Sequence, residues 1–181
     1  MLSAFIMIAA SAYPLMDGRC GEYGGLRSEK VALSENADLH IFQDDSYVWI
    51  CHTMPAAVSV SWDDLEFVTP VFSDGLNLHA SAQLGEWPLN VPDAQPTTSS
   101  SDKWWNVEGW WANTPGPNGM VEVNGKNQTK WMNIAAREYQ ISKDRFGRGV
   151  WKIRFNLHTA EADGGLTYPP AGRPAYILEA E

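Results

Sequence analysis

Basic residues are scarce in this chain. Thirteen Lys and Arg stand against 22 Asp and Glu, a formal net charge of −9, and no basic run occurs anywhere. Phosphate contacts need clustered Lys and Arg, so the composition argues against a nucleic-acid partner. It argues equally against an anionic membrane surface. Long apolar runs are missing too. The longest, over residues 2–12, falls well short of the ~20 residues a bilayer span requires. Helical periodicity is nearly absent. No GxSxG, HExxH or Cys–His signature appears, so the motifs give no handle on catalysis. Cysteine is limited to Cys20 and Cys51. In an exported protein the pair suggests one disulfide, while a buried free thiol at Cys51 is the competing reading.

What the chain does have is tryptophan, nine in 181 residues, within a composition that is 44% hydrophobic and 19% charged. That balance belongs to a globular protein with a sizeable core. The aromatic excess fills cores, but it also supplies flat binding platforms. Residues 1–12 read as a signal peptide, with Ala10-Ser11-Ala12 as the small-residue cleavage site, or as an N-terminal strand. No Lys or Arg precedes the apolar run, a departure from the signal pattern. Residues 13–181 are expected to form a single domain. The expected location is secreted, periplasmic or cell-surface.

The organising stretch is DGLNLHASAQLGEWP, residues 74–88. Leu76, Leu78, Ala80, Ala82 and Leu84 alternate with Asn77, His79, Ser81 and Gln83. Period two marks a strand with one buried face. The wet face carries amide, imidazole and hydroxyl groups instead of the Lys and Glu of an ordinary solvated strand. Residues 150–158 repeat the alternation, with Trp151, Ile153, Phe155 and Leu157 inward. Residues 37–43 and 46–52 flank Asp44-Asp45 and read as a hairpin. Its second arm is apolar on both faces and belongs in the middle of a sheet. Further strands are expected at 30–33, 58–61, 65–72, 120–123 and 131–141, with turns at 62–64 and 146–149. Residues 88–103 form a long loop of Pro, Ser, Thr and Asp, and a loop of that length is functional or mobile. Together these patterns predict an all-β fold, an antiparallel β-sandwich of jelly-roll or immunoglobulin-like type with long loops.

Three pieces, ADLHIFQDDSYVWICHTMP, DGLNLHASAQLGEWP and AAREYQISKDRFGRGVWKIRFNLH, occur in a telling order. The first resembles the opening hairpin of family-9 carbohydrate-binding modules and their DOMON-like relatives. The last is similar to their closing hairpin, with Glu138, Tyr139 and Ile141 before a turn at Phe146-Gly147 and a strand of Trp151, Ile153 and Phe155. The resemblance spans residues 31–158. It implies a β-sandwich that binds sugars by stacking aromatic side chains on pyranose rings. Some DOMON-like sandwiches hold haem through a Met and a His. That relationship puts His40, His52, Met54, His79 and His158 forward, CHTM at 51–54 above all.

Sugars present apolar C–H faces and a rim of hydroxyls. Indoles suit the first, and Asn, Gln, His, Glu and Arg suit the second. The stacking candidates are Trp87, Trp104, Trp105, Trp110 and Trp111; the hydrogen-bonding candidates are Asn77, His79, Gln83, Glu86 and Arg154. Adjacent Trp on a strand point oppositely, so one of each pair is expected inside. Asp44, Asp45, Asp63 and Asp64 are oxygen-rich candidates for Ca²⁺, against ordinary turn capping. The expected function is non-catalytic carbohydrate binding. The alternatives are a haem-binding electron-transfer domain, a self-assembling surface or filament subunit forming a homo-oligomer, and a glycoside-active enzyme using Glu66, Glu86 or Glu138. Asn127-Gln128-Thr129 is a glycosylation sequon.

Overall fold

The computed structural model describes residues 13–54, 62–158 and 165–181. The proposed signal segment and the expected strand at 58–61 lie outside them. Thirteen strands are described, two antiparallel sheets packed face to face plus a hairpin. The first sheet holds five strands in the order β1 (Glu29–Ser34), β2 (Ala37–Gln43), β3 (Tyr47–Thr53), β10 (Ala136–Ser142) and β7 (Trp110–Ala112). The second runs β12 (Leu166–Tyr168), β11 (Gly149–Leu157), β4 (Asp63–Val68), β5 (Leu76–Ala80) and β6 (Leu84–Pro88), and β13 (Tyr176–Ala180) also pairs with β11. The hairpin of β8 (Pro117–Val123) and β9 (Lys126–Trp131) forms its own small sheet, and β8 is exposed along its whole length. Its turn, Asn124-Gly125, has φ of 52° and 71°, the positive pair a two-residue hairpin turn demands. Among the described residues no helix is long and apolar enough to cross a membrane.

The alternating strands meet across the core. Leu39, Ile41, Val48, Ile50, Tyr139 and Ile141 come from one sheet, and Leu65, Phe67, Leu78, Trp151, Ile153, Phe155 and Leu157 from the other. Phe67, Phe146 and Trp151 pack as a triad, with Phe67 to Trp151 centroids 5.9 Å apart and edge-on. Each such side chain contributes about 1.5–3 kcal/mol of burial. The short helix α1 (Lys143–Phe146) turns the chain from β10 into β11 and seats Phe146 in this triad.

One polar network lies inside. Asp63, fully buried, accepts from His52 Nε2 at 2.7 Å and Tyr139 Oη at 3.1 Å, with Arg137 Nε at 3.4 Å. Burial alone would raise the Asp63 carboxyl. The His52 contact and hydrogen bond, with Arg137 and Tyr139, outweigh it and hold Asp63 below its ordinary range. Arg137 also donates to the carbonyls of Ser81 and Asn113 at 3.0 and 2.9 Å.

A second cluster, Tyr23, Trp49, Cys51 and Ala136, sits on the outer face of the five-stranded sheet. The segment before β1 covers it, and Cys20 is joined to Cys51 by a disulfide. This cover explains why both faces of β3 are buried.

Four expectations need correction. The stretch 74–88 is two strands, β5 and β6, turned at Ser81–Gln83, where Ser81 bonds the Gln83 backbone through its own N–H and Oγ. Asp63 and Asp64 open β4 and are not a turn. The stretch 131–141 is divided between β9 and β10. The tail contributes β12 and β13, which the pattern reading left unassigned.

Candidate functional site

The site is built on the outer face of the six-stranded sheet. Antiparallel register sets Asp64 opposite His79 and His79 opposite Gly85. It also sets Glu66 opposite Asn77 and Asn77 opposite Trp87. Alternation therefore gathers residues from three strands onto one pleated surface. Asp64 Oδ1 accepts from Asn77 Nδ2 at 2.7 Å and from His79 Nδ1 at 2.9 Å. A carboxylate only accepts, so His79 Nδ1 is the donor in this contact. A second polar chain runs beside it, from Thr167 Oγ1 to Asn156 Oδ1 and from Asn156 Nδ2 to Glu66 Oε1, each at 3.1 Å.

Three indoles surround His79. Trp62 stacks on it with centroids 6.0 Å apart and also stacks with His158 at 3.3 Å. Trp87 lies at 5.5 Å and Trp104 meets it edge-on at 5.4 Å. Trp104 arrives from the long loop after β6. Its backbone bridges Gly85 and its Nε1 donates to the Thr98 carbonyl at 2.8 Å. Lys103 Nζ ties the same loop to the Ala94 carbonyl. Gly85 favours this close approach. A Cβ at that position would sit 3.1 Å from two carbons of the Trp104 ring, so a bare backbone lets the indole lie a few tenths of an ångström closer than any side chain would. The result is an open cavity of about 460 Å³ lined by Trp62, Asp64, His79, Ser81, Trp87, Gln95, Pro96 and Trp104. That volume falls in the range of small-ligand clefts.

Of the ten residues expected to bind ligand, His79, Trp87 and Trp104 line this trough, while Asn77, 3% exposed, is outside the lining and donates to Asp64. Gln83 sits in the β5–β6 turn, outside the lining. Glu86 points to the opposite face of β6. There it accepts from Trp110 Nε1 at 2.8 Å and pairs with both Arg145 terminal nitrogens at 2.6 and 2.7 Å. Trp110 itself is 5% exposed and stacks near Tyr139 in the core, which removes it from the surface set. Trp105 and Trp111 are both 48% exposed, but they neighbour each other at 6.4 Å, away from the cavity. Arg154 shares the trough's sheet face yet is committed to the Pro169 and Arg173 carbonyls at 2.9 Å, holding the C-terminal loop.

The acidic quartet is also dispersed. Asp44 caps its own turn, accepting from Ser46 N, Tyr47 N and Trp49 Nε1 at 2.8 Å. Arg148 donates to the Asp45 carbonyl. Strand alternation sends Asp63 into the core and Asp64 into the trough, so these neighbours share no site. Glu66, Glu86 and Glu138 face three different surroundings, the trough side, Arg145 and the Gly18 backbone. His52 and His79, two of the haem candidates, are engaged by Asp63 and Asp64.

Trp62, Gln95 and Pro96 line the cavity without having been expected. Gln95 and Pro96 lie in the loop whose length already marked it. Trp62 had a weaker signal, an aromatic directly before a carboxylate at the mouth of a strand.

No family model matches the chain, and no curated protein matches it. Among solved structures it is similar to a carbohydrate binding module family 9 (CBM9) from Caldicellulosiruptor kristjanssonii in complex with cellotriose. The identity is 10%, the TM-score 0.42, and the match covers 85% of this chain and 76% of that one.

Proposed function

We propose that the chain is an exported, non-catalytic carbohydrate-binding protein and that the trough around His79 is its sugar site. The observation that carries this reading is three indoles and an imidazole around one open cavity, with the Asp64 carboxylate beneath. The indole faces suit the C–H surface of a pyranose ring. Asp64, His79 Nε2, Ser81 and Gln95 supply donors and acceptors for its hydroxyls. The Cys20–Cys51 disulfide supports an oxidising compartment, in keeping with the signal-like residues 2–12.

The test is calorimetric titration with a panel of soluble oligosaccharides, backed by retardation on insoluble polysaccharides. Trp87→Ala and Trp104→Ala should each weaken binding by about 1–3 kcal/mol, roughly 5- to 150-fold in Kd, with an unchanged far-UV spectrum. Trp111→Ala should bind as the parent does. Equal affinity in all three variants would remove the trough as the site.

A further inference from the structure

The face of the five-stranded sheet opposite the core carries a group of oxygens that the sugar-binding reading does not use. We propose that Asp17, Glu22 and Glu138 form a site for one Ca²⁺ ion that fastens the segment before β1 to strand β10. One carboxylate oxygen from each residue lies within 4.8 Å of the other two. Calcium–oxygen bonds run about 2.3–2.6 Å, so oxygens on opposite sides of the ion stand roughly 4.8 Å apart, and the three fit one coordination shell.

The second observation is Glu138 itself. Its side chain is fully buried, yet Oε1 has no hydrogen-bond partner. Oε2 is the served oxygen, accepting from the Gly18 N–H at 2.5 Å, and the Arg19 N–H also acts on the carboxylate. A buried carboxylate oxygen left empty forfeits its hydration, and native structures rarely tolerate it without an ion or water. Tyr23, in the same cluster, is likewise fully buried with an unpartnered hydroxyl. Two orphaned oxygens beside two further carboxylates describe a cradle short of positive charge.

The electrostatics agree. Burial pushes the Glu138 carboxyl up to about 7, Glu22 and Asp17 push the same way, and the Gly18 and Arg19 N–H groups oppose them. The loop is shaped for the task, because Leu15 N–H donates to Glu22 Oε1 at 2.8 Å and closes the chain around Asp17 and Gly18. The donors are all hard oxygens, which excludes a thiolate or imidazole metal site. Two of the three come from an irregular loop that adapts to the larger ion, whereas Mg²⁺ demands near-ideal octahedral geometry and keeps its waters. This site lies on the other sheet from the trough and does not depend on it.

Thermal unfolding of the full chain, disulfide intact, tests this with calcium chloride, magnesium chloride or EDTA. Saturating Ca²⁺, about 100-fold above Kd, should raise Tm by roughly 5–10 °C, with little response to Mg²⁺. Asp17→Asn with Glu22→Gln should abolish the rise; Asp17 is exposed, Glu22 is half-buried, and the Gln amide oxygen can still accept from Leu15 N–H, so the variant tests the site without opening the core. Glu138→Gln should also lose the Ca²⁺ response, while melting higher than the parent in EDTA because the buried charge is gone. No Ca²⁺-dependent rise in the parent, an equal rise with Mg²⁺, or a rise undiminished in the Asp17/Glu22 variant would overturn the assignment.

Discussion

The two outer faces of the sandwich start from similar material and end differently. Each carries aromatic side chains and a carboxylate: Tyr47, Trp49 and Glu138 on the five-stranded sheet, Trp62, Trp87, Trp104 and Asp64 on the six-stranded one. The first face is roofed by the chain's own residues before β1 and locked by Cys20–Cys51. The second is flanked by the loop that brings Trp104, which leaves a cavity of about 460 Å³ open. An aromatic outer face therefore keeps an open cavity only where the chain leaves it uncovered. Pleat alternation builds both surfaces, and the connections decide which one stays free.

The sharpest way to break this contrast is to attack the ion network between the sheets. Asp63→Ala strips the partner from His52 and Arg137, and removing one member of a buried charged set costs about 3–5 kcal/mol. Because Arg137 also holds the Ser81 carbonyl, sugar affinity should fall with stability. Denaturant melts alongside titration will show both. Asp63 also sets an acid limit. Its carboxyl is held low in the folded state, so its contribution is present above the ordinary value of 3.8 and is lost as pH falls through the lower folded one. Stability measured against pH should drop on that acid side in the parent and stay flatter in Asp63→Asn.

Next comes the roof. Cys20→Ser with Cys51→Ser opens a loop with a sequence separation of 31, worth about 3–4 kcal/mol. It should red-shift the emission of Trp49 as the cover loosens. Sugar binding on the opposite sheet should survive. A joint loss of fold stability and affinity would mean the two faces are not independent.

Smaller still is Gly85→Ala. The new Cβ meets the Trp104 ring at 3.1 Å, so the indole must retreat by a few tenths of an ångström. Affinity should fall several-fold in titration with Tm nearly unchanged. Trp105→Ala should leave both unaltered, since that ring faces Trp111.

Much of the sandwich was readable from residue order. The β2–β3 hairpin and the inward Trp151, Ile153, Phe155 and Leu157 of β11 stand where period-two alternation puts them. The hairpin hidden in 74–88 was not readable, because Ser81, Ala82 and Gln83 continue the alternation through the turn that reverses the chain. Strands β12 and β13 escaped because Gly- and Pro-rich sequence surrounds them and one is only three residues long. The pair rule worked for Trp110 and Trp111, one inward and one outward. It failed for Trp104 and Trp105, which lie outside the strands, with Trp105 at a φ of 62°. Glu86 and Arg154 show what local pattern cannot supply: their partners, Arg145 and the C-terminal loop, come from distant sequence.

Titration of one soluble oligosaccharide into the parent, Trp104→Ala and Trp111→Ala bears most directly on the open face. Saturable binding in the parent, lost in the first variant and kept in the second, is the expected result. Binding that survives loss of Trp104, or vanishes only with Trp111, would contradict a sugar site around His79.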